Sequence, residues 1–82
     1  GYLKNFPVDF IKIDGNFVRD LLTDKFDRAI VNSIHDVATA LGMKTVAEYV
    51  ESTDILLELR KMGVDYAQGY GIAKPKPLSD LL

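Results

Sequence analysis

VDFIKID (residues 8–14), KTVAEYVE (44–51) and DYAQGY (65–70) decide the fold of this chain. Each run is rich in β-branched and aromatic residues, the composition that suits a pleated, half-buried strand. Each also holds, near its end, a polar residue that packing gives no reason for: Lys12, Glu48 and Gln68. Helical periodicity fills both intervals, so the order is β-α-β-α-β. Such units lay their strands parallel with right-handed crossovers. All three polar residues are then expected at one edge of one sheet, the C-terminal edge, where barrels and open α/β sheets carry their chemistry.

Punctuation around these runs sets the boundaries. Gly1 to Lys4 read as the tail of an element, and Pro7 forces an extended entry into a first strand over 9–13. Asp14-Gly15-Asn16 ends that strand, and Phe17 to Phe26 read as a loop with a short helical turn. Beyond Asp27, read as the N-cap, Ile30, Val31, Ile34, Val37, Ala38 and Leu41 recur at helical spacing and predict a helix over 27–41 closed by Gly42. The second strand spans 44–50. Ser52 caps a helix over 53–62 whose buried stripe is Ile55, Leu56, Leu59 and Met62, and Gly63 ends it. The third strand spans 66–70. Residues 71–82 are expected as a loop held extended by Pro75 and Pro77, with Ser79 capping a last turn.

Bulk properties narrow the function classes. A chain of 82 residues makes at most one small domain, burying only about 60–65% of the surface its unfolded form exposes. A hydrophobic content of 48% with 27% charged residues belongs to a globular protein, and a net charge of -2 gives no basic footprint for duplex nucleic acid. With no cysteine there is neither a disulfide framework nor a thiolate metal site, which suits a cytoplasmic protein. No apolar stretch approaches the ~20 residues of a membrane span and the N-terminal residues lack a signal-peptide pattern, so no membrane contact is expected from this segment.

In order, FPVDFIKIDGNFV, AIVNSIHDVATALGMKTVAEYVES and GVDYAQGYGIAKPKPL closely resemble the C-terminal portion of EAL domains, the cyclic di-GMP phosphodiesterases of bacterial signalling. Three separated motifs carry the resemblance: KID at Lys12 to Asp14, VAExVE at Val46 to Glu51, and QGY followed by KPxP at Gln68 to Pro77. The family is a modified (β/α)8 barrel, which implies an α/β fold here in which the three strands are the sixth, seventh and eighth. A full barrel takes about 250 residues, so the chain represents roughly a third of it. The Glu-Ala-Leu signature and most metal ligands would lie upstream of Gly1. Either the rest of the barrel or a second chain would complete the site.

The resemblance also implies roles. Lys12 matches a lysine beside the scissile phosphate and the attacking water, where a fixed positive charge stabilises developing negative charge. Glu48 matches a ligand of a two-metal site, and a hard carboxylate suits Mg2+ or Mn2+. Gln68 carries an amide able to orient water or phosphate at the rim. Glu51 and Asp14 are expected to support this set through hydrogen bonds, and Lys74 and Pro75 to lie near one guanine of the ligand. His35 has no ligand-spaced partner and is expected as a packed helix residue. Tyr49 departs from the family, which usually has glycine there: strand alternation would turn it away from the Glu48 face toward the helices, whereas a backbone needing φ > 0 would strain it.

The expected function is therefore a share in hydrolysing cyclic di-GMP to linear pGpG, with the isolated segment inactive and prone to self-association through open sheet edges. The rival readings are a degenerate EAL domain that binds cyclic di-GMP without catalysis and a purely structural fragment.

Overall fold

The computed structural model describes residues 9–69 and 72–82; the expected extended entry at Pro7 and the strand end at Tyr70 lie outside these. The elements are β1 (Phe10–Ile13), α1 (Gly15–Val18), α2 (Lys25–Ala40), β2 (Lys44–Val50), α3 (Thr53–Met62), β3 (Tyr66–Gly69), β4 (Ile72–Pro77) and a 3-10 turn (Leu78–Asp80). They form one sheet in the order β1-β2-β3-β4. The first three strands are parallel.

The caps follow from local chemistry. Ser52 accepts the Ile55 N–H at 3.1 Å, and Gly63 closes α3 in the left-handed conformation at φ 91°. A Ser52→Ala variant of a barrel carrying this segment should lose about 1 kcal/mol, read from its denaturation midpoint. Helix α2 begins earlier than the apolar spacing predicts. Its N-cap is Asp24, which accepts from the N–H groups of Phe26 and Asp27, so Asp27 lies inside the first turn. Partial desolvation, then the neighbouring Asp24 and Asp20, hold the Asp27 carboxyl above the ordinary aspartate range.

Both helices lie on one face of the sheet. Ile13, Ala47 and Ala67 are fully buried and share a core with Val31, Leu59, Ile55, Val64 and Leu78. The α3 stripe packs as its spacing predicts, with Ile55 and Leu59 buried and Leu56 and Met62 partly so. In α2 the stripe is wider than the sheet beneath it: Val31 and Ala38 are buried, while Val37 and Leu41 stand exposed. An apolar groove lined by Ile11, Ile34 and Val37 runs beside β1. Arg28 of α2 and Glu58 of α3 are joined by an ion pair.

The C-terminal stretch differs from the expected loop. Residues 72–77 form β4, antiparallel to β3, with Tyr66 opposite Pro77 and Ala67 opposite Lys76. As the outermost strand, β4 tolerates Pro75 and Pro77, whose missing N–H groups would break a central ladder. The following turn has no side-chain cap, so Ser79 does not play the expected role. No helix among the described residues is long and apolar enough to cross a membrane.

Candidate active site

Register brings the predicted residues to one edge. Ile13, Ala47 and Ala67 stand side by side across β1, β2 and β3. Lys12 lies one row before them, beside Val46 and Tyr66, whereas Asp14, Glu48 and Gln68 each follow their row member directly. Because the strands are parallel, all these positions sit at the C-terminal edge. Ile13 faces the helices and is buried, so alternation turns Phe10 and Lys12 to the opposite face; both are exposed there. Phe10 and Tyr66 meet edge to face, ring centroids 5.3 Å apart.

The decisive local feature is a bulge in β2. Ala47 pairs with Ala67 and Val50 with Gly69, so Glu48 and Tyr49 together oppose the single residue Gln68. Tyr49 is the extra residue, with φ 57°, a left-handed conformation that costs a non-glycine residue about 1–2 kcal/mol. The added residue shifts the alternation by one step. Val50 consequently enters the core, in the place alternation reserved for Tyr49, and Tyr49 is 58% exposed. The expected turn of the phenol toward the helices is thus corrected: alternation does not hold across a bulge. Gly69 permits the bulge from the other side, since a Cβ there would lie 2.4 Å from the Val50 nitrogen.

The remaining predicted residues are placed as follows. Asp14 accepts the Asn16 N–H at 2.8 Å and caps the short helix α1. Glu51 is exposed just beyond β2. Lys74 and Pro75, both exposed, lie in β4 between the residues paired with Ala67 and Gly69, and so beside Gln68 in the ladder. Glu48 and Gln68 are half-buried. Among the described residues no three of His, Cys, Asp and Glu gather where they would cage a metal ion. Glu48 is thus a single hard oxygen donor at this edge, a residue that could contribute one ligand to a hard cation.

The opposite edge carries a network that sequence reasoning missed. Buried Thr45 donates its N–H to Asp65 Oδ2 at 3.0 Å and its hydroxyl to the same oxygen at 3.3 Å, while the Asp65 N–H donates to Thr45 Oγ1 at 3.3 Å. His35 Nδ1 lies 2.9 Å from Thr45 Oγ1, within hydrogen-bond reach of the same hydroxyl. Lys44 Nζ stands 3.9 Å from the other Asp65 oxygen. His35 thus holds the N-terminal ends of the strands together, away from Lys12 and Glu48. The available signal was a threonine inside an apolar strand with an aspartate just before the next.

Parallel strands with crossover helices on one face and polar residues at their C-terminal edge are the arrangement of a segment of an α/β barrel. The protein-family model described as EAL domain matches residues 1–75, and the chain belongs to that family. The cyclic di-GMP phosphodiesterase PdeB of Shewanella oneidensis is 51% identical over 79 residues, covering 96% of this chain and 9% of that protein. The crystal structure of the EAL domain of Mycobacterium smegmatis DcpA superposes with a TM-score of 0.73 at 39% identity, over 98% of this chain and 36% of that one. The EAL domain of FimX from Pseudomonas aeruginosa, solved bound to c-di-GMP, superposes with a TM-score of 0.71 at 34% identity, over 90% of this chain and 30% of that one. The chain thus spans about a tenth of the curated relative and about a third of these solved chains.

Proposed function

We propose that this segment supplies the last three parallel strands of a cytoplasmic, metal-dependent phosphodiesterase that hydrolyses cyclic di-GMP to linear pGpG. The observation that carries the reading is the convergence of Lys12, Glu48 and Gln68 on one strand-end edge, with a bulge at Glu48. Bound Mg2+ or Mn2+ would supply charge neutralisation at the phosphate and activation of water. Glu48 would hold the cation through one carboxylate. Lys12 sets a fixed positive charge beside the phosphate, where negative charge builds in the transition state. Gln68 orients the phosphate or water through its amide, with Lys74 and Pro75 beside it in the ladder flanking a guanine. Asp14 holds the turn after β1, and Glu51 stands exposed just beyond β2, beside this set.

The test uses an intact EAL barrel that carries this segment, incubated with cyclic di-GMP and Mn2+ and followed by chromatography. Linear pGpG should accumulate, vanish on chelation with EDTA, and return when Mg2+ or Mn2+ is restored in excess. Turnover indifferent to chelation would overturn the metal reading. Tight binding of cyclic di-GMP with no product under any metal would replace the enzyme by a receptor.

A further inference from the structure

We infer that Gly15 and Tyr49 form one interlocked pair that fixes the bulge presenting Glu48, and that one of these two positions must be glycine. A Cβ built on Gly15 would lie 1.8 Å from Tyr49 Cδ2, 2.6 Å from Cγ and 2.7 Å from Cβ. The last distance is the informative one. Rotating the phenol about its own bonds relieves the first two contacts and leaves the third, because the tyrosine Cβ is fixed by the backbone. Truncation to alanine would leave it too. Only glycine at position 49 frees position 15 to carry a side chain.

Position 49 is also where the backbone itself favours glycine, since Tyr49 is the one non-glycine residue with positive φ among the described residues. In this chain the glycine stands across the contact, at Gly15. Gly15 is buried under the exposed phenol. It opens α1 directly after Lys12 to Asp14, and Asp14 caps that turn. The contact therefore clamps the end of β1, with Lys12 and Asp14, onto the peptide that follows Glu48. Gly69 closes on Val50 from the β3 side, so the bulge is wedged between two glycines. Gly15 and Tyr49 are in this reading positioning residues, and the activity part of the inference rests on the phosphodiesterase reading above.

A double-mutant cycle in an intact barrel carrying this segment tests the pair. Gly15→Ala should lower kcat by about 10-fold or more, since displacing a catalytic group by ~1 Å is worth up to ~100-fold, with KM for cyclic di-GMP nearly unchanged, and should lower the melting temperature. Tyr49→Phe should match the parent in every readout, because the ring and not the hydroxyl makes the contact. Tyr49→Gly should retain activity within a few-fold. The double variant Gly15→Ala with Tyr49→Gly should recover both kcat and melting temperature toward the Tyr49→Gly values. Gly15→Ala behaving like the parent, or a double variant as impaired as the two singles added together, would overturn the inference. If Gly15→Ala does not fold, recovery of a folded barrel by adding Tyr49→Gly supports the pair and lack of recovery overturns it. A barrel that hydrolyses nothing still reports through the melting temperatures, so failure of the pair is distinguishable from failure of the proposed function.

Discussion

Replacing Glu48 by glutamine in an intact barrel that carries this segment is expected to lower metal-dependent hydrolysis of cyclic di-GMP by at least ~100-fold. The substitution keeps volume and exchanges one anionic acceptor oxygen for a neutral amide NH2, so the loss reports on charge and donor chemistry at the metal and not on packing. Glu48 is half-buried at the strand-end edge, outside the core cluster, and the melting temperature should hardly move. Binding of cyclic di-GMP in calcium, which occupies oxygen sites without supporting the chemistry, should change far less. Near-parental turnover in this variant would remove Glu48 from the site.

The 82-residue chain alone is expected to show no measurable phosphodiesterase activity even with Mn2+, and to be self-associated or only marginally folded. Glu48 is a lone candidate ligand, and the described residues contain no group able to cage a metal ion. The sheet is also open, though less than the strand pattern alone implies. On one side β4 covers β3 and presents Pro75 and Pro77 as a poor template for further pairing. On the other side the outer edge of β1 has no strand partner among the described residues, with Phe10 49% exposed on that strand and the apolar groove of Ile11, Ile34 and Val37 alongside. Association is therefore expected through the β1 side. At this chain length, burial and conformational entropy nearly cancel. Light scattering with a denaturation curve checks this. A monodisperse monomer with a cooperative transition above about 5 kcal/mol, the range of whole domains, would show an autonomous domain.

Much of this molecule was legible in its sequence because the relevant signals are local. The β-branched runs around Ile11, Val46 and Tyr66, the stripe from Ile55 to Met62, the cap at Ser52 and the left-handed Gly63 each follow from spacing and backbone chemistry within one or two turns of chain. Parallel connection then placed Lys12, Glu48 and Gln68 at a common edge without any distance being known, since strands joined by crossover helices run parallel and parallel strands share their C-terminal edge in whatever order they lie. The motifs around these residues were enough to indicate the family.

What the tertiary structure alone decided involves partners far apart in the chain. Whether residues 72–77 are loop or strand depends on an unpaired β3 edge that a proline-bearing strand can still accept. The start of α2 was set by Asp24 reaching two N–H groups, where apolar spacing pointed to Asp27. The direction of Tyr49 depended on register: pairing Val50 with Gly69, and not its neighbour, inserts one residue in β2, exchanges Tyr49 for Val50 in the core and seats the phenol on Gly15. Alternation is a property of one strand, whereas a bulge is a property of two, and no single strand's sequence records where its neighbour will pair.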